Sequence, residues 1–71
     1  MNSSELRDIV YEYFNLIRMN LPFGSHFLNY YKEENKIIIS YSGGGKFKRF
    51  TVTLDEILRQ IREDKLRKLL E

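Results

Sequence analysis

Residues 27 to 53 hold three β-prone runs separated by breaks too short for a crossover. Residues 27–32, FLNYYK, are rich in aromatic side chains that suit a half-buried pleated surface. Residues 36–41, KIIISY, carry the strongest strand signal, and residues 46–53, KFKRFTVT, form a third run. KEEN separates the first two runs, and Asn35 within it tolerates the left-handed backbone region. SGGG separates the second from the third. A parallel neighbour needs a connection of roughly a dozen residues or more, so these links favour an antiparallel meander.

The flanks read as helices. Over residues 3–20, Leu6, Ile9, Val10, Tyr13, Leu16 and Ile17 share one broad face at helical spacing. Asn2 is a suitable N-cap, with Glu5 three places on to reach back, and Asp8 lies early, where the helix favours negative charge. Pro22 biases Leu21 away from helical geometry, and NLPFGS is the exit loop. The final helix starts at Thr53, with Glu56 completing a capping box and Val52 and Ile57 forming a hydrophobic staple. Leu54, Ile57, Leu58 and Ile61 share its apolar face. Asp55–Arg59, Arg59–Glu63, Glu63–Arg67 and Asp64–Lys68 are oppositely charged i,i+4 pairs. Leu66, Leu69 and Leu70 drift off the apolar stripe. The expected fold is α+β, in the order α-β-β-β-α: a three-stranded antiparallel meander with both terminal helices packed on one face.

The chain has 71 residues and is read as a single small domain, 1–71. A domain of this size buries only about 60% of its unfolded surface, and such cores rarely supply more than about 3–5 kcal/mol unaided. There is no cysteine and one histidine, which excludes disulfides and thiolate metal sites and leaves zinc without its preferred ligands. Self-association, most simply as a homodimer, is therefore the expected aid. The polar start MNSSELRD has no secretory h-region after it, and no run approaches the roughly 20 apolar residues of a membrane span. A soluble, cytoplasmic protein without membrane contact is expected. The usage of Ile, Lys, Asn and Tyr is compatible with a protein of a virus or other mobile element.

A first hairpin turning on Glu34-Asn35 sets Glu33 opposite Lys36, Tyr30 opposite Ile39 and Leu28 opposite Tyr41. One face then collects Leu28, Tyr30, Ile37, Ile39, Tyr41, Phe50 and Val52 as a core. The other collects Phe27, Asn29, Tyr31, Ile38, Ser40, Phe47, Arg49 and Thr51. A slip of one residue would exchange the two sets. If no helix covers it, the second face is the natural binding surface.

The excess positive charge is concentrated in one place: Lys46, Lys48 and Arg49 have no acid among residues 46–54, and the rest of the chain is nearly balanced. The glycines before them are not a Walker loop, because Lys46 is followed by Phe47 and a strand. They form either a flexible hairpin loop or a weak anion site with Lys46. The strand after them offers bases for phosphates and, in Phe47 and Tyr31, rings for stacking, although the RNP1 pattern is absent. It reads equally as a solvated basic edge that discourages aggregation.

The candidate partner-binding residues are Tyr31, Ile38, Lys46, Phe47, Lys48 and Arg49. A second candidate surface is the stripe Arg7, Tyr11, Phe14 and Arg18 on the first helix, unless Phe14 merely widens the core. Enzymatic chemistry finds little support. There is no thiolate nucleophile, His26 is the lone imidazole, and Glu33–Glu34, Asp55–Glu56 and the row Glu5, Asp8, Glu12 read as solvated or structural carboxylates. No cofactor, metal or small-molecule substrate is expected. The leading expectation is a non-enzymatic regulator or inhibitor that binds a protein partner. The alternative is a nucleic-acid-binding module using the third strand.

Overall fold

The computed structural model describes residues 2–70. Helix α1 (Ser3–Ile17) ends in a 3₁₀ turn (Arg18–Asn20). Strands β1 (His26–Glu33), β2 (Lys36–Gly43) and β3 (Lys46–Thr53) follow, and α2 (Leu54–Leu70) is the last described element. The order is the expected α-β-β-β-α, and the strands form one antiparallel sheet in the order β1-β2-β3.

Local chemistry accounts for most boundaries. The Asn2 side-chain oxygen accepts the Glu5 N–H at 2.9 Å, and its amide donates to the Glu5 carboxylate at 3.2 Å. α1 stops three residues short of the expected Asn20. Pro22 holds Leu21 extended (φ −102°, ψ 164°), so the last turn tightens and the Leu21 N–H bonds to the Arg18 carbonyl at 3.0 Å.

The first hairpin turns on Glu34-Asn35 as expected, but Glu34 takes the positive φ (57°) instead of Asn35. Asn35 has another task. Its carbonyl accepts the Leu54 N–H at 2.9 Å, and its side-chain amide lies 3.5 Å from Asp55 Oδ2, tying this turn to the start of α2.

The second hairpin is tighter than the glycine run suggested. Ser42 and Gly43 belong to β2, and only Gly44 and Gly45, at φ 61° and 78°, form the loop. Gly43 is required for another reason: a Cβ there would fall on Ser25 Oγ. Ser25 is buried, and its hydroxyl donates to the Pro22 carbonyl at 2.6 Å. One glycine admits the α1–β1 loop, and the other two turn the chain.

At α2, Thr53 Oγ1 accepts the Glu56 N–H at 3.1 Å, which is half of the expected box. The Glu56 carboxylate turns forward to Arg59 (2.6 Å) and Gln60 (3.1 Å), and Thr53 remains a strand residue paired with Lys36. Of the expected i,i+4 pairs, Arg59–Glu63 (3.0 Å) and Asp64–Lys68 (3.0 Å) form. Asp55–Arg59 and Glu63–Arg67 do not form among the described residues; the i,i+3 pairs Arg59–Glu56 and Arg67–Asp64 take those arginines instead.

Both helices cover the same face of the sheet. Val10, Tyr13 and Phe14 of α1 and Ile57 and Ile61 of α2 close over Ile37, Ile39 and Tyr41 of β2. β2 is buried at every second residue, as a sheet with one covered face requires. The molecule is only 17 Å through its thinnest dimension, so the remaining face is bare.

β1 departs from the expected register at one point. Phe27, not Leu28, lies opposite Tyr41, because a β-bulge falls between Phe27 and Asn29. The extra residue reverses the alternation upstream of it. Phe27 turns inward to meet Phe14 at a centroid distance of 5.5 Å, while Leu28 turns outward and is 49% exposed. Downstream of the bulge, Tyr30 and Tyr31 lie opposite Ile39 and Ile38, on the faces expected of them.

Candidate binding surface

The register sets the open face row by row. Tyr31, Ile38 and Thr51 lie abreast across β1, β2 and β3. Asn29, Ser40 and Arg49 form the next row, and Ser42 and Phe47 the one after. Leu28, displaced by the bulge, joins Ser40, Phe47, Lys48 and Arg49 around a shallow hollow. Phe47 is 85% exposed, whereas Phe50, three residues on, packs against Tyr41 at 5.9 Å. An aromatic ring left this bare on a helix-free face is an apolar contact that the fold does not use.

Tyr31, Ile38, Phe47 and Arg49 are therefore brought together. Lys46 and Lys48 follow the other parity: their register partners are Gly43 and Tyr41, so both belong to the margin of the helix-covered side, where they are exposed, although Lys48 also borders the hollow. The three bases thus surround the outer strand instead of paving one surface. No described carboxylate pairs with any of them. Among the described residues the positive charge of β3 therefore has no ion-pair partner.

The α1 stripe does not survive as a surface of four residues. Phe14 is 2% exposed and packs between Phe27 and Tyr41, so it widens the core. Tyr11 is half-exposed and leans edge-on against Phe27 at 4.7 Å. Arg7 lies 3.9 Å from its neighbour Asp8, and Arg18 opens the 3₁₀ turn. These three remain on the surface without an apolar centre.

Two exposed apolar regions lie elsewhere. Leu66, Leu69 and Leu70 project from the end of α2, as their departure from the stripe implied. Met19 and Phe23, in and beside the loop after α1, are almost fully exposed. That loop is thus more than the expected exit from the first helix; its signal in the sequence is a phenylalanine beside Pro22 and Gly24, where a polar residue would serve a turn equally well.

Three acidic groups are shifted by contacts within the fold. Hydrogen bonds from Arg59 and then Gln60 hold the Glu56 carboxyl below the usual carboxylate range. Hydrogen bonds from Lys68 and then Arg67 do the same for Asp64. Burial, reinforced by the nearby Glu56 charge, pushes the Tyr13 phenol up. Among the described residues no group of three or more His, Cys, Asp or Glu is placed to hold a metal ion. No described helix is long and apolar enough to cross a membrane. Comparison with protein families, curated proteins and solved structures finds no match for this chain.

Proposed function

We propose that this chain is a small non-enzymatic binding protein, a regulator or inhibitor that works by occupying a surface on a protein partner through its open sheet face. The observation that carries the reading is Phe47, bare on a helix-free face with Leu28 and Arg49 beside it and with Tyr31 and Ile38 two rows further along the same face. Exposed aromatics and arginine are the side chains that anchor protein interfaces. The test is capture from lysate with and without nuclease, comparing the natural chain with Phe47→Ala and Tyr31→Ala. A protein retained after nuclease treatment and lost in both variants supports the reading. Capture that both variants retain overturns it.

Nucleic acid is the second reading, favoured by three cations of β3 that no described carboxylate pairs, next to an exposed ring. Salt separates the two. Replacing Lys46, Lys48 and Arg49 together by Gln lowers the salt slope by up to about three units if phosphates are the ligand. With a protein partner the same change mainly slows association.

The active form is a homodimer joined through the end of α2. The core is small and unstapled, and Leu66, Leu69 and Leu70 lie uncovered beyond it. Leu66→Lys with Leu70→Lys weakens self-association in sedimentation. A natural chain that stays monomeric at high concentration defeats this part of the reading.

A further inference from the structure

We propose that the free edge of β3 accepts an extended acidic segment of the protein partner as a fourth strand. This rests on the reading that the partner is a protein and specifies the chemistry by which it docks.

The two edges of the sheet differ in whether they can pair. The β1 edge is blunted. A bulge interrupts it between Phe27 and Asn29, and the Tyr30 N–H is already satisfied by the Asn29 side-chain oxygen at 2.8 Å. β3 has neither defence: its pairing with β2 is unbroken from Lys46 to Thr53, and it contains no proline. The direction of its backbone groups follows from the turn. A two-residue loop on Gly44-Gly45 is closed by a bond from the Lys46 N–H to the Gly43 carbonyl, so Lys46 points its backbone toward β2. Alternation then sends the N–H and C=O groups of Phe47, Arg49 and Thr51 outward, away from the sheet. These are the residues whose side chains lie on the open face. A strand added here would gain ladder hydrogen bonds and could lay alternate side chains beside Phe47 and into the hollow edged by Leu28 and Ser40.

Charge selects the occupant. Lys46, Lys48 and Arg49 occupy both sides of β3, with no acid in the strand and no described carboxylate paired to them. Glutamates on either face of an incoming strand would find a cation opposite. A second copy of β3 would set bases against bases, which disfavours edge-to-edge pairing of this chain with itself. A nucleic acid could use the cations but lacks the peptide groups that the free ladder positions call for.

The test uses the full chain and a synthetic peptide of about eight residues, a typical strand length, built from Val, Thr and three Glu, with a counterpart in which Lys replaces Glu. Amide hydrogen exchange is followed by NMR. The acidic peptide at saturation is expected to slow exchange at Phe47, Arg49 and Thr51 by about tenfold or more, whereas the Lys peptide leaves it unchanged. Thr51→Pro removes one outward N–H without touching the β2–β3 ladder, at a position where an edge strand tolerates proline. It should weaken binding of the acidic peptide, while Thr51→Val should not. An acidic peptide that shifts the signals of Tyr31, Ile38 and Phe47 yet protects none of the three amides overturns strand addition and leaves the open-face reading in place. Failure of the acidic peptide to bind at millimolar concentration also overturns it, while the dependence of lysate capture on Phe47 tests the face separately. Unaltered binding by a folded Thr51→Pro chain, or preference for the Lys peptide, has the same consequence.

Discussion

Ile38 and Ile39 are neighbours with the same side chain, and the structure uses them in opposite ways. Ile39 is fully buried beneath the helices, and Ile38 is half-buried on the open face between Tyr31 and Thr51. Phe50 and Phe47 repeat the contrast on β3. Residue type does not separate these pairs; parity along the strand does, because successive side chains leave a strand on opposite faces. The lesson is that one thin sheet divides its apolar side chains between a face that holds the fold together and a face that the fold leaves bare. The covered face holds the molecule together, and apolar side chains on the bare face are free to meet something else.

That division can be broken most forcefully on the covered side. Ile39→Ala is expected to cost about 2–5 kcal/mol, comparable to all that a core of this size supplies, and calorimetry should show a largely unfolded chain. A variant that melts normally would mean that the two faces are not divided as described. Gly43→Ala comes next, at about 1–3 kcal/mol, because its Cβ meets Ser25 Oγ. Ser25→Ala in the same chain should restore part of that loss; a double-mutant cycle in chemical denaturation measures the coupling, and simple additivity would show that the contact is not the cause.

Thr53→Ala removes the oxygen that caps α2 and should cost about 0.5–2 kcal/mol, seen as a lower melting temperature. An unchanged melt would place the helix start elsewhere. The pH profile samples the same side more gently. Glu56 and Asp64 have carboxyl pKa values lowered in the fold, so their contribution is present at neutral pH and is lost as pH falls below the usual carboxylate range near 4. Tyr13 is raised, so its contribution holds up to the ordinary phenol value near 10 and is lost above it. Melting temperature should therefore decline at both ends, and Tyr13→Phe should flatten only the alkaline limb.

The smallest effect on stability is expected on the bare face. Phe47→Ala should change unfolding free energy by about 0.5 kcal/mol or less while abolishing partner capture. A large loss of stability would show that Phe47 belongs to the fold, and the contrast with Phe50 would collapse.

The legible parts of this structure were those governed by neighbours in sequence. Asn2 and Thr53 cap helices whose N–H groups lie three residues away, and Glu34-Asn35 closes a hairpin between adjacent strands. Each depends on a few consecutive residues, so local chemistry sufficed to read them. The candidate site was partly legible for the same reason: the Glu34-Asn35 turn sets Tyr31 opposite Ile38, the Gly44-Gly45 turn sets the register of β3, and Tyr31, Ile38, Phe47 and Arg49 fall on one face together. Lys46 and Lys48 were grouped with them by charge alone, and strand parity separates them.

The sequence by itself thus determined the order of elements, the antiparallel meander and the apolar faces, because periodicity and short links leave few alternatives. Only the tertiary structure decided that Phe27 turns in and Leu28 out, since a bulge depends on what each side chain finds across the sheet. It also assigned Phe14 to the core, where Phe27 and Tyr41 receive it, and made Gly43 indispensable to Ser25, which lies far away in the chain. These outcomes rest on contacts between distant segments, and a distance in space that the chain must fold to create leaves no local mark in the sequence.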